Sequence, residues 1–323
     1  MILAGIDEAG YGPLLGPLVV GCCAFEVDGP IEGEELPCLW KRLRRIVCKS
    51  RDKRGRKLHI NDSKIVYSPA LGLKELERSI LALLVAQGGE CLSLRAMLER
   101  VAASVVEEMP RYRWYAPFEG ERFPLEQEAD GIRIMGNALK AEMERTGTRM
   151  VHLSGQVMLE GQLNSMLRQT RNKSSVLFTQ AAIHLEHLLK TYGSQSLVIF
   201  CDRQGGREHY GHLLRLMFEE WSLEVLEEVD GRAAYRLARG PDVVRLLFRE
   251  KAEKQCLPVA AASMLCKYIR EALMRRFNAW WRAQMPGLEP TAGYYNDGLR
   301  FMQDIQAKRV ELGIGEEEMV RMR

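Results

Sequence analysis

The chain lacks any uninterrupted apolar stretch approaching the length of a membrane span, and it lacks a basic start followed by a small-residue cleavage site. The expectation is a soluble globular protein in the cytoplasm, with no membrane partner. Internal repeats and low-complexity tracts are also missing, which sets aside solenoids and disordered arrays. The eight cysteines contain no Cys-x-x-Cys pair and no Cys/His cluster at zinc spacing. Buried, reduced thiols are therefore expected, including Cys201 and Cys256 near candidate acids. His209 and His212 lie one helical turn apart without a third ligand, so a surface or core role is expected of them. Ser263 has no evident His/Asp partners for a nucleophilic triad, and Gly205-Gly206 is too short for a phosphate loop. An excess of one charge is missing as well: 46 Lys and Arg against 43 Asp and Glu leave +3, which says little about partners.

The distribution of charge says more than its sum. Lys41 to Lys57 reads KRLRRIVCKSRDKRGRK, a basic run broken by Asp52 and by a turn at Gly55, suited either to phosphate or to a solvated surface. With 323 residues, 46% of them hydrophobic, the chain can bury one large domain or one domain with sizeable insertions.

Chemistry is concentrated at the start. Ile2 to Ile6 reads as a buried strand that ends on two adjacent acids, Asp7 and Glu8, and opens into Gly10-Tyr11-Gly12-Pro13. Two carboxylates where a central strand breaks into a turn repel each other unless a cation neutralises them, and a hard divalent metal is the natural partner. Residues without Cβ let a substrate approach the backbone. Leu18 to Phe25 forms a second strand. Ser68-Pro69 marks the approach to a helix over Leu73 to Leu84, Met150 to Val157 suggests another strand, and Leu163 to Leu189 is helical with an interruption near Asn172. Ser196 to Cys201 is a further central strand, ending on Asp202 before glycines, as ligand-binding acids of α/β sheets commonly do. A hairpin of Leu223 to Val229 and Ala233 to Ala238 turns at Asp230-Gly231, Val243 to Phe248 is a strand, and Glu253 precedes a long helix over Leu257 to Phe277. Trp280, Trp281 and Phe277 read as its hydrophobic anchor rather than a base-stacking platform.

In this order the segments resemble the type 2 ribonucleases H, ribonucleases HII and HIII. GIDEAGYGPLLGPLVVG is similar to the family's opening, Asn61-Asp62-Ser63-Lys64 to its Asp-Ser-Lys segment, Asp202 to the acid ending its fourth strand, and Val259 to Lys267, continuing to Arg270 and Leu273-Met274, to its long helix. The resemblance implies a ribonuclease H-like α/β fold with a central five-stranded mixed sheet flanked by helices. It would span 1–285 as the catalytic domain, with insertions near 28–60 and 88–147, and 286–323 as a C-terminal extension on or near the substrate face.

The resemblance also implies a site. Its four acids fall on Asp7, Glu8, Asp202 and Glu253, the last an aspartate in ribonuclease HII but commonly a glutamate in ribonuclease HIII. These would be catalytic and metal-binding, holding two Mg²⁺ or Mn²⁺ ions about 4 Å apart, with Asp7 bridging, Glu8 and Asp202 serving the first ion and Glu253 the second. The implied reaction is endonucleolytic hydrolysis of the RNA strand of an RNA/DNA hybrid, or cleavage 5′ of ribonucleotides embedded in duplex DNA, leaving 3′-hydroxyl and 5′-phosphate ends. Gly10, Tyr11 and Gly12 stand where ribonuclease HII reads the 2′-hydroxyl with Gly-Arg-Gly, so an arginine's charge is lost, and Tyr11 is left to stack on substrate or to pack the loop. Ser63, Lys64, Lys267, Arg270 and Tyr294 complete the implied substrate contacts, the cations toward phosphate and the tyrosine toward an RNA/DNA junction. A DNA repair or junction nuclease of the same fold, and a catalytically silent nucleic-acid-binding relative, remain open beside it.

Overall fold

Ile2, Ala4 and Ile6 alternate with Leu3 and Gly5 along the first strand, leaving both of its faces apolar, as a strand covered on both sides requires. In the computed structural model this strand, β1 (Ile2–Ala9), lies in the interior of a seven-stranded sheet. Residues 1–28, 36–116 and 122–322 are described; 29–35 and 117–121, within the expected insertions, and Arg323 lie outside the described residues.

The other strands are β2 (Leu18–Val27), β3 (Thr148–Met158), β4 (Leu197–Asp202), β5 (Ser222–Val229), β6 (Arg232–Arg239) and β7 (Asp242–Arg249), arranged in the order β3-β2-β1-β4-β7-β6-β5. β1 pairs antiparallel with β2 and parallel with β4, which in turn pairs parallel with β7. The sheet is therefore mixed, with seven strands where five were expected. The difference lies in the β5–β6 hairpin. Its inward row, Ala233, Tyr235 and Leu237, is apolar and buried, so β6 pairs antiparallel with β7 and extends the sheet instead of standing apart.

Helices cover both faces. On one side lies α6 (Leu257–Gln284), backed by α1 (Lys74–Ala86) and α2 (Ala129–Arg145); on the other lie α3 (Glu160–Thr170), α4 (Lys173–Tyr192) and α5 (Gly211–Met217). The interruption near Asn172 separates α3 from α4: Arg171 is left-handed at φ 50°, and the Asn172 side chain caps α4 by accepting from Ser175 N at 3.0 Å. No described helix is long and apolar enough to cross a membrane.

Segment 88–147 is tied to α6 through a buried carboxylate. Glu77 accepts from the amides of Leu125, Glu126 and Gln127 and from the Tyr268 hydroxyl on α6. Trp114 packs edge-on against Phe277 and Trp280, while Trp281 is buried against Phe301, so the aromatic end of α6 is an anchor as expected.

Candidate active site

Three parallel strands end at the same edge of the sheet, and that edge carries the acids. β1 approaches α6 so closely that a Cβ on Gly5 would lie 2.2 Å from Val259 N, a contact only glycine avoids. Asp7 follows in the same alternating row, facing α6, and is 7% exposed. Its carboxylate accepts the Glu8 amide at 2.7 Å, and Ser263 on α6 favours its charged form. Glu8 belongs to the opposite row. Asp202 ends β4 and accepts the Ala252 amide at 3.1 Å. Glu253, 6% exposed, lies in the turn Ala252–Lys254 between β7 and α6, preceded by Lys251 in the left-handed region at φ 58°. Strained backbone of this kind persists where surrounding structure over-determines it.

Electrostatics joins the four. Burial pushes Asp7 well above the usual carboxylate range, helped by the charges of Glu8 and Asp202. Glu8 is pushed up to about 8 by burial and then by Asp202, with Lys64 pulling it back. Burial also raises Asp202 and Glu253, and Glu253 feels the charges of Asp202 and Asp62. Asp202 is thus the member to which the other three are coupled. One oxygen of Glu8, Oε2, is buried with no hydrogen-bond partner. An all-oxygen, over-charged set with an orphaned carboxylate oxygen fits a hard divalent cation. The acids converge without closing: among the described residues no three of them bring ligand oxygens within 4.8 Å of one another. Like charge keeps them apart.

Beside them opens a cleft of about 260 Å³, lined by Glu8, Gly10, Tyr11, Gly12, Ser63, Lys64, Lys267, Arg270 and Tyr294. The structure therefore gathers every residue expected to contact substrate around one cleft, but it uses them differently from what their sequence context suggests. Lys64 is exposed in the field of Glu8 and Asp202. Ser63 shares a hydroxyl–hydroxyl hydrogen bond of 3.0 Å with Ser263. Lys267 donates to Glu271 at 2.6 Å and lies over the Tyr67 ring. Arg270, expected to face phosphate, is 1% exposed and donates to the carbonyls of Pro17, Leu15 and Ala292, so its guanidinium holds backbone. Tyr11 packs on Gly205, with Lys173 Nζ 4.9 Å from its ring centroid, which is the loop-packing role. Tyr294, 53% exposed, caps the start of α7 (Tyr295–Asp304).

Two residues escaped the sequence reading. Arg321 donates to the carbonyls of Gly10, Tyr11 and Gly16, and Glu160, fully buried, accepts from Gly16 N at 3.1 Å and from Tyr115 OH at 2.8 Å. Gly293 O accepts from Leu14 and Leu15 on the same loop. No local pattern announces an arginine that will fold back onto a loop 311 residues earlier. His209 pairs with Glu228 at 3.0 Å.

No family model and no curated protein matches the chain. Solved structures similar to it include ribonuclease HII from Archaeoglobus fulgidus in complex with PCNA (16% identity, covering 100% of this chain and 95% of that one, TM-score 0.43), ribonuclease H2 from Pyrococcus horikoshii (12%, 99% and 92%, 0.42) and ribonuclease H3 from Aquifex aeolicus (14%, 99% and 71%, 0.40). The chain's own sheet is mixed and flanked by helices on both faces.

Proposed function

We propose that the protein is a metal-dependent endonuclease that hydrolyses the RNA strand of RNA/DNA hybrids or cuts 5′ of ribonucleotides embedded in duplex DNA, leaving 3′-hydroxyl and 5′-phosphate ends, with the cytoplasm as its place of action. The observation that carries this reading is the coupling of Asp7, Glu8 and Glu253 to Asp202 beside a cleft walled by the glycine loop, Ser63-Lys64 and Tyr294. A binding module gains nothing from four carboxylates that repel a phosphate backbone.

Asp7, Glu8, Asp202 and Glu253 are the residues that would hold Mg²⁺ or Mn²⁺, two ions in this reading, which supply Lewis-acid polarisation of the phosphodiester and a more acidic water. The rest falls to the chain's own groups. Ser263 orients the Asp7 carboxylate. Lys64 offsets part of the negative field and draws the substrate's phosphates toward the edge of the acid cluster. Gly12 leaves open space where a side chain would stand, so a ribose can come against the loop backbone and have its 2′-hydroxyl sensed there. Arg270, Arg321 and Glu160 keep that loop in one shape, while Tyr294 offers an exposed ring to a sugar or base at the far wall. In domain terms, 1–285 is the catalytic unit and 286–323 an extension on its substrate side, a division supported by the Gly293 and Arg321 contacts to the loop.

The test uses matched duplexes, one an RNA/DNA hybrid, one with a single embedded ribonucleotide, one all DNA, with Mg²⁺ or Mn²⁺ and an Asp7→Asn control. Cleavage confined to ribose-containing strands and lost in the control is the expected result. Equal cutting of the all-DNA duplex would make the protein a DNA repair or junction nuclease, and binding without cutting under either metal would make it a silent relative.

A further inference from the structure

On the sheet face covered by α4, away from the acids, three side chains far apart in sequence meet. The register sets Cys22 of β2 opposite Ser154 of β3 and Ala24 opposite His152, so Cys22, Ser154 and His152 share one face, and His184 reaches them from α4. One ligand atom from each of Cys22, His152 and His184 lies within 4.8 Å of the other two. Among the described residues no other trio of histidine, cysteine or acid does this.

The rings are oriented for coordination. His184 Nε2 lies 2.9 Å from the Val20 carbonyl, and a carbonyl can only accept. Nε2 therefore carries the hydrogen and Nδ1 keeps its lone pair, the arrangement in which a backbone carbonyl fixes a metal-bound histidine. Ser154 Oγ stands 3.4 Å from that Nδ1 and 2.7 Å from His152 Nε2. Burial favours the neutral form of both imidazoles, so each keeps one ring nitrogen with a lone pair to offer a cation. An ion has a way in. His152 is half-buried at the sheet edge, its ring tilted against that of the exposed His187 with centroids 4.3 Å apart, and borders a cleft of about 800 Å³.

We propose that Cys22, His152 and His184 bind one Zn²⁺ ion, joining β2, β3 and α4. Sulfur and imidazole nitrogen suit zinc, whereas the oxygen-only acid site suits Mg²⁺ or Mn²⁺, so the two sites sort ions by donor type. Three protein ligands leave one tetrahedral position for the Ser154 hydroxyl or water. On binding, the Cys22 S–H bond breaks, a sulfur–zinc bond forms and the proton leaves to solvent. The ion's charge overcomes the burial that otherwise holds the thiol protonated.

The experiment strips the full chain of metal, then adds Zn²⁺ or Co²⁺ to the wild type and to the Cys22→Ser, His152→Gln and Asp7→Asn proteins, with circular dichroism checking that each is folded. The wild type and Asp7→Asn should each retain one equivalent of zinc through gel filtration and, with cobalt, show a near-ultraviolet thiolate-to-metal band. That band should vanish in Cys22→Ser. His152→Gln, at the half-exposed position, should bind zinc at least about tenfold more weakly in competition with a chromophoric chelator. A folded wild type without the band, a band that persists in Cys22→Ser, or unchanged zinc affinity in His152→Gln would each overturn the site. The Asp7→Asn arm keeps this result separate from the fate of the acid cluster.

Discussion

Ser263 stands between Ser63 and Asp7: its hydroxyl donates to the Ser63 hydroxyl at 3.0 Å, and its presence lowers the Asp7 carboxyl against the burial that raises it. One side chain on α6 therefore sets both an acid and the start of the segment that carries Lys64. Ser263→Ala should lower kcat about tenfold, with KM for a hybrid substrate nearly unchanged and the thermal midpoint within a few degrees of the wild type, because the lost group orients rather than binds. Ser263→Thr, which restores a hydroxyl, should recover part of the rate. A fall in stability that accounts for the whole loss of activity would reduce Ser263 to packing.

The acid cluster is held at a cost, and Asp202 is its common member. Asp202→Asn keeps an oxygen able to accept the Ala252 amide while removing the shared charge. In metal-free buffer its thermal midpoint should rise by a few degrees, corresponding to about 1–2 kcal/mol. Cleavage should fall on the order of a thousandfold, and Mn²⁺, expected to raise the wild-type midpoint, should no longer raise that of the variant. Differential scanning calorimetry with and without Mn²⁺ checks this, and a lower metal-free midpoint would contradict it.

Glu160 gives stability a dependence on pH. Burial raises its carboxyl to about 7, against the opposing pull of Arg321 and Arg270, from an ordinary value of 4.5. A raised folded value means that the native state binds the proton more tightly than the unfolded chain, so this contribution is complete below about 4.5 and is lost as pH rises through about 7. Its size is up to about 3 kcal/mol. Denaturant titrations at pH 5 and pH 8 should show a smaller difference for Glu160→Gln than for the wild type. Identical differences would mean that Glu160 is already ionised beside its arginines.

The basic run from Lys41 to Lys57 reaches the edge of the acid site, since Lys49 donates to the carbonyl of Lys254, next to Glu253, and lies over the Trp40 ring. Arg54 and Arg56 are exposed around a turn whose amides converge on Asp52. Replacing Lys53, Arg54 and Arg56 with glutamine should weaken binding across sequences and flatten the salt dependence by roughly two to three ions. An unchanged slope would leave the run as solvated surface.

The sequence and the structure agree where chemistry is written contiguously. A buried run ending in Asp7-Glu8, or in Asp202, shows its position at a strand's edge because apolar pattern and charge change at the same residue. Glu253 is legible only through the family resemblance, because a glutamate in a charged turn ahead of a helix carries no signal of its own. The role of Arg270 is not legible, because a cation on a helix looks the same whether it meets phosphate or three carbonyls; the difference lies in the burial of the loop against it. The Cys22, His152 and His184 cluster depends on strand register and on which face α4 covers, neither of which spacing along the chain encodes. The two extra strands follow from pairing a hairpin whose inward row needed cover, a long-range choice that local periodicity leaves open.

The contact of Arg321 with the Gly10 and Tyr11 carbonyls joins segments 311 residues apart, so the clasp on the loop beside Asp7 and Glu8 comes from distant chain. A contact of such separation closes only once the intervening scaffold has brought its two ends together. The conformation of this loop is therefore a readout of long-range folding rather than of its own few residues.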